Sequence, residues 1–485
     1  MTSTATTAPS RGPEVRSIDY IPQNERHGKV RQIGPLWFIS NAQISTLAVG
    51  LISVTGGGNL LWSFIAIVAG IGIGTLFMAA HSSQGPRLGL PQMIQSRPQF
   101  GYIGALLIWF FVYLQYAGFN IFNTILAGQA MAASAIGGED KLWFWVVTIL
   151  AVVIAIFGYN LIHTFEKYLT WVTVAMLAVL TVVALVTLRL PADSFTLSGF
   201  VPVAFLAQLC AAAGYQISWA PYVSDYSRYL PTNVSSKSIF RWTFWGSALG
   251  GGWMMLLGTF IAISVGKDFD IVKSIKSTAD MFFPGFGSIA LIIAAVGLVS
   301  VTAINLYGGS LTLISSIASL VKLRLTLRLR VITILITAAI SLYFAIIASN
   351  DFLASFYNFL VLVLYVFIPW TAVNLMDFFV VRKGHYAIAE IFKPNGIYGR
   401  WGWPGLISYG VGFVAMVPFF AAGDLYTGFA SKAMGGADIS LFIGLPVSAI
   451  LYYLLTRKID LASEMALAES QIDELEHESR VSEIS

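Results

Sequence analysis

Ser40–Thr46, SNAQIST, and Ala211–Pro221, AAAGYQISWAP, decide the fold. Each sits inside a long apolar stretch and turns polar where a membrane helix is ordinarily most apolar. The first is poor in good helix formers, and the second carries Gly214 and Pro221 around Gln216 and Ser218. Both patterns suit a transmembrane helix that unwinds part-way. Such a break frees backbone carbonyls near the middle of the bilayer, where they hold a solute or a cation. It is tolerated only beside a cavity or packed protein. For the second stretch, an ordinary proline kink is the alternative.

The surrounding chain is built for a bilayer. Of 485 residues, 57% are hydrophobic and only 11% charged, with a mean hydropathy of +0.76. A soluble domain carries about 25% charged residues, so most of this surface does not meet water. A crossing helix needs about 20 apolar residues. Twelve segments qualify, near 36–55, 60–80, 101–133, 142–159, 168–188, 202–224, 242–266, 286–311, 331–349, 353–380, 404–421 and 439–456. With the N-terminus inside, 22 of the 28 Lys and Arg residues fall in the inner segments. That bias predicts an even number of spans and cytoplasmic termini, and a shift of one span would scramble it. Cys210 stands alone, which excludes an internal disulfide and a Cys-based metal site; it reads as packing. The first 17 residues lack the apolar core of a signal peptide and read as a disordered lead. Asp460 to Ser485, with eight acids and one Arg, reads as a solvated tail or a frayed amphipathic helix.

Charged side chains avoid the span centres. His81, His163, Glu166, Asp225 and Asp377 all fall at inner ends. This weakens a deep carboxylate relay and excludes the paired His or carboxylates of an intramembrane enzyme. No GxxxxGK[ST] motif supports ATP-driven pumping. What the spans hold instead is amides: Asn41 and Gln43 in span 1, Gln115, Asn120 and Asn123 in span 3, Gln216 with Ser218 in span 6, and Asn305 in span 8. A buried amide needs a partner or loses several kcal/mol. Another helix can supply that partner, and so can a bound solute. Amides on four separate spans favour a shared pocket. The polar spans 1 and 6 lie five apart, and so do the Asn-bearing spans 3 and 8, which is the trace of an inverted five-helix repeat. A flat ring with a donor–acceptor edge suits such a pocket: it can stack on an aromatic side chain, and an amide can both donate to its edge and accept from it.

Six ordered motifs carry a family resemblance: IDYIPQNERHGK (18–29), SQGPRLGLPQMIQSRPQFGYIG (83–104), LAGQAM (126–131), SWAPYVSDYSRYLP (218–231), FIPWTAVNLMDFFVVRKGHY (367–386) and IFKPNGIYGRWGW (391–403). Together they resemble the nucleobase–cation symporter-1 family, in its purine–cytosine permease branch. The resemblance implies an all-α membrane protein with a LeuT-like fold, two inverted repeats of five helices plus two C-terminal helices. The divisions are 1–35 as a cytoplasmic segment, 36–190 and 191–380 as the repeats, 381–458 as spans 11 and 12 with the loop before them, and 459–485 as the acidic tail. It implies cation-coupled import of a nucleobase across the cell (inner) membrane by alternating access, with spans 1, 2, 6 and 7 moving against spans 3, 4, 8 and 9. The alternatives are another small planar solute (allantoin, hydantoin, a vitamin precursor) or a membrane sensor. The implied solute site contains Asn41, Gln43, Phe119, Asn123 and Asn305, with Tyr215, Gln216, Ser218 and Trp219 as the span 6 candidates, because Gln216 stands where some relatives have an aromatic. No enzymatic cofactor is implied. The coupling ion is sodium or a proton, and a sodium site in the manner of relatives would use the carbonyls of Ile39, Ala42 and Val296 with Ser300. Val299 replaces a second family hydroxyl, leaving Thr302 as the nearest one. Asp225, Arg228, Arg87 and Arg97 read as an inner gate or structural ion pair. The expected partners are the small solute and the lipid bilayer, with no nucleic acid and no obligate protein.

Overall fold

Span 1 breaks where its sequence turns polar. The computed structural model describes residues 19–157, 159–266, 269–321, 326–348 and 351–481, without the side chains of 157–168 and 472–481. The expected disordered lead therefore lies outside the described residues, as do the side chains of His163 and Glu166. In span 1 one helix runs Ile33–Asn41 and the next begins at Ile44. Ala42 (φ −83°, ψ 72°) and Gln43 (φ −148°, ψ 161°) leave the helix, and the two halves meet at 64°. Span 6 is gentler. Its helix Pro202–Ile217 gives way to a 3-10 turn at Ala220–Tyr222, then resumes over Val223–Ser227. The turn forms where Pro221 withdraws one backbone donor, and the whole remains one span, Pro202–Ser227.

Among the described residues, eight helices are long and apolar enough to cross a bilayer, and ten if two bent pairs are each counted as one. Trp403–Phe419 and Asp140–Phe157 are shorter apolar helices at the expected places of spans 11 and 4. Between spans 7 and 8, Ile271–Asp280 forms an amphipathic helix. Asp270 caps it by accepting from Lys273 N at 2.8 Å, and Ile271, Val272, Ile275 and Ala279 are buried.

Two groups of helices separate by how they pack. Spans 1, 2, 6 and 7 meet through glycine. A Cβ on Gly50 would lie 1.9 Å from Met255 O of span 7, and one on Gly250 would lie 2.4 Å from Phe38 O of span 1. Gly70 and Gly74 of span 2 approach the Leu209 and Ala213 carbonyls of span 6 in the same way. Small residues let backbones touch in a bilayer, where apolar burial drives nothing. Spans 3, 8 and 9 meet instead through side chains. Tyr116 lies against Gly308 and Gly309, the Tyr113 and Thr337 hydroxyls pair at 3.2 Å, and those of Ser310 and Thr333 at 2.6 Å.

Both ends of the described chain gather on one face, here the terminal face. Ile21 N donates to Gly89 O at 2.9 Å and Arg26 Nη1 to Pro86 O at 2.7 Å. Span 12, Ser440–Thr456, is followed by a helix Leu461–Val481 turned 87° from it. The sequence suggested a solvated tail or a frayed amphipathic helix; a helix forms, and its first turns dock. Glu464 takes Arg382 Nε at 3.0 Å and Tyr398 OH at 2.6 Å, and Gln471 Nε2 donates to Glu390 at 3.0 Å. On the opposite face, the connection from span 11 to span 12 sinks inward. Ala421–Ala422 pairs antiparallel with Tyr426–Thr427, and Phe420 stacks on Tyr365 of span 10 at 3.6 Å. Tyr365 lies thirteen residues along the helix Phe352–Met376, about 20 Å from its start.

Candidate functional site: a solute pocket between spans 1, 3, 6 and 8

Tyr215 is the hub at which the expected residues converge. Its hydroxyl pairs with Thr46 Oγ1 at 2.5 Å and accepts from Gln43 Nε2 at 3.5 Å. Its ring meets Phe119 edge-on at 6.1 Å and Trp219 at 6.3 Å. The break in span 1 makes this possible: extended Gln43 aims its side chain back, donating to Ser40 O at 3.0 Å, while Gln43 Oε1 is buried without a partner. Trp219 Nε1 is likewise a buried donor with no acceptor. Asn123 lies one turn beyond Phe119, only 2% exposed. Gly309 sits against Tyr116 and Thr312 donates to Met93, which precedes span 3, so spans 3 and 8 run antiparallel. Counting back from Gly309 by helical turns brings Asn305 level with Asn120 and Thr302 level with Asn123. Asn305 is half-buried.

Other candidates turn away. Asn41 donates to Trp37 O at 2.8 Å and Ser247 Oγ at 3.0 Å, and accepts from Gln216 Nε2 at 3.2 Å. Gln216 Oε1 accepts from Ser247 Oγ at 2.7 Å. These two amides knit spans 1 and 6 to span 7 and spend their hydrogen bonds there. Ser218 Oγ donates to Tyr215 O at 2.6 Å, while the Ser218 carbonyl accepts from Gln115 Nε2 at 2.6 Å. This pair fixes the 3-10 turn against span 3.

Aromatic rings flank this cluster on both sides. Toward the terminal face, Trp219 packs on Trp37 at 5.6 Å and Tyr222 stacks on Tyr116 at 5.4 Å. On the other side, Phe359 of span 10 meets Phe119 at 5.0 Å. Thr46, Ser247 and Phe359 were missed in the sequence. A hydroxyl or a phenyl ring inside an apolar span carries no mark of its neighbours.

Of the possible sodium ligands, the Ile39 carbonyl accepts from Ala42 N at 3.0 Å, Val296 is half-buried, and Ser300 and Thr302 are 5% and 2% exposed. Thr302 Oγ1 has no partner. Among the described residues, no cluster of three His, Cys, Asp or Glu side chains is placed to hold a metal ion.

On the terminal face, the motif 83–104 forms a buried polar network. Gln84 donates to Asn374 Oδ1 at 2.8 Å, Gln99 to Asp377 Oδ2 at 2.6 Å, and Gln92 N to Asp225 Oδ1 at 2.9 Å. His81 stacks flat on Trp370 at 4.5 Å. Arg97, pulled down to about 10 by burial, stays charged at neutral pH over Tyr102 at 4.0 Å; Arg87 donates to Lys383 O at 3.3 Å. Arg382 is paired with Asp377 and Glu464. Burial opposes its charge, and Asp377 then Tyr452 and Glu464 more than offset that.

A broken apolar helix, a cluster of amides and rings beside the break, and two separately packed helix groups define a multi-pass membrane transporter. The comparisons agree. The family model for permeases for cytosine/purines, uracil, thiamine and allantoin matches residues 20–444, so the chain belongs to that family; it is a permease and not an enzyme. It is 38% identical over 448 residues to a putative purine-cytosine permease of Bacillus subtilis, covering 92% of this chain and 96% of that one. A purine-cytosine permease of Emericella nidulans is 24% identical over 91% of this chain and 88% of its own. Among solved structures, Mhp1, a nucleobase-cation-symport-1 family transporter in a closed conformation with bromovinylhydantoin bound, superposes with a TM-score of 0.72 at 18% identity, covering 97% of this chain and 99% of that one. Its inward-facing form gives 0.73. The likeness establishes the fold, the LeuT-like arrangement expected from the motifs.

Proposed function

We propose that this permease imports a planar nucleobase of the cytosine or purine type by cation-coupled symport. The observation that carries the reading is the pair of buried polar atoms beside Tyr215 that no described residue satisfies: the Gln43 acceptor and the Trp219 donor. An unmet buried polar group costs about 1–3 kcal/mol. A ring lying on Phe119 supplies the missing edge. Asn305 completes the reading edge from span 8. Asn41, Gln216 and Ser218 hold the walls, so this reading has only Trp219 and Tyr215 of span 6 at the solute. Residues 36–190 and 191–380 are the two repeats, with 1–35, 381–458 and 459–485 as the remaining divisions. The terminal face is cytoplasmic, by the Lys and Arg bias, and the bilayer is the cell (inner) membrane.

The coupling ion is sodium or a proton. With Val299 at a family hydroxyl position, a sodium site would rest on the Ile39, Ala42 and Val296 carbonyls with Ser300 and Thr302. The test is uptake of labelled cytosine into proteoliposomes under separately imposed sodium and proton gradients, with adenine, hypoxanthine, uracil and allantoin as competitors. Saturable uptake driven by one gradient and competed by bases is expected; no saturable uptake under either gradient refutes the reading. A second solute class, a substituted pyridine ring, is favoured by the resemblance to a vitamin B6 transporter of Saccharomyces cerevisiae, 25% identical over 62% of this chain and 55% of its own. Pyridoxine belongs in the same competition panel.

A further inference from the structure

Asp438 is a carboxylate in a place where the sequence shows only a loop residue ahead of span 12. It is 1% exposed. Its partners fix its depth. Tyr365 OH donates to Asp438 Oδ2, from a point about 20 Å along span 10. The thiol of Cys210, eight residues into span 6, donates to the Asp438 carbonyl at 3.7 Å. Ala421 N donates to Oδ2 at 3.1 Å and Ser440 N to Oδ1 at 2.9 Å. Every one of these groups is a neutral donor. Among the described residues Asp438 forms no ion pair, whereas buried Asp377 has Arg382. The titratable groups around it are Tyr357 and Tyr365 of span 10, Cys210 of span 6 and, across a cavity, Asp351. That cavity, about 570 Å³, is lined by Asp438 together with Thr55, Tyr357 and Asp351, on the face opposite the termini.

An unpaired carboxylate at membrane depth is expensive and marks an ion or proton path by default. We propose that Asp438 takes up the coupling proton from this outer cavity. The inference rests on the cation-coupled import argued above. Oδ2 already accepts from Tyr365 and Ala421, so the proton arriving from water forms its O–H bond at Oδ1, which accepts only from Ser440. No other bond changes. The neutral acid holds Tyr365 OH and Ala421 N less tightly, because a hydrogen bond to an ionised acceptor is roughly twice as strong as one to a neutral acceptor. Tyr365 rides on span 10, six residues from Phe359, the ring that covers Phe119. Proton uptake thus loosens the helix that closes the pocket from outside.

The test uses the full chain in proteoliposomes with labelled cytosine, comparing accumulation under an inward proton gradient with exchange (counterflow) at equal pH. One coupled proton gives up to about tenfold accumulation per pH unit. Asp438→Asn, nearly isosteric, should keep exchange near the wild-type rate and lose the response to the gradient. Tyr365→Phe should keep exchange and cut the gradient-driven accumulation severalfold. A wild-type response in Asp438→Asn overturns the proton site and leaves the transport reading standing, as does wild-type uptake driven by sodium alone. Absence of exchange in the wild type overturns both. Should Asp438→Asn fail to fold, Tyr365→Phe decides, and an unchanged gradient response there refutes the proposal.

Discussion

At the residue scale, amides of the same type serve opposite ends. Gln43 keeps an acceptor that no described residue meets and Asn123 is buried one turn from Phe119, while Asn41 and Gln216 satisfy each other and Ser247. Asn123→Ala or Asn305→Ala is therefore expected to abolish saturable uptake, or raise KM at least about tenfold, the cost of one good hydrogen bond, with membrane insertion unchanged. Gln216→Leu should do the reverse: it strands Asn41 and Ser247, lowering stability in detergent by about 2 kcal/mol with KM little altered in whatever protein folds. Thermal melts beside uptake kinetics separate the two. The sequence could list these amides and not their directions. The 64° bend after Asn41 turns Gln43 toward Tyr215 and leaves Asn41 facing span 7, and no helical periodicity carries across such a break. Tyr215 was visible only as one of four candidates in span 6, although four side chains meet on it.

At the element scale, the packing of span 1 on span 7 is the most exacting contact in the fold. With a Cβ on Gly250 only 2.4 Å from Phe38 O, Gly250→Val must push the helices apart, costing about 3 kcal/mol or more and reading out as lost folded yield in detergent. The C-terminal helix offers a milder test. Glu464 and Arg382 are both buried, so Glu464→Ala should cost about 3 kcal/mol and release the helix to proteolysis. Acid should release it too. Lys393 donates a hydrogen bond that holds the Glu390 carboxyl below its ordinary 4.5, against the opposing effect of burial and with help from Gln471. A depressed carboxyl stabilises fully above 4.5 and loses that contribution as pH falls through its lowered value. Hydrogen exchange over 461–471, corrected for its intrinsic rate, should accordingly stay slow at pH 6 and quicken only well below 4.5. Neither this docking nor the helix Ile271–Asp280 was legible, because charged, short-period segments look alike whether solvated or packed.

At the scale of the whole molecule, most of the architecture could be read in advance. Span order, the polar break in span 1 and the pairing of spans 3 and 8 follow from where apolar runs stop and polar residues intrude, because the bilayer forbids most other arrangements. The motifs of the terminal face carried the ancestry. What could not be read was the connection between spans 11 and 12 on the opposite face, whose descent beside Tyr365 depends on one ring stack and one carboxylate. The edge-on seat of Phe359 over Phe119 has its own consequence. The two rings touch, so a flat solute lying on Phe119 must push Phe359 aside, and a molecule with a bulky tetrahedral substituent standing off that plane would hold it further away. Such compounds should act as competitive blockers that occupy the carrier without being carried.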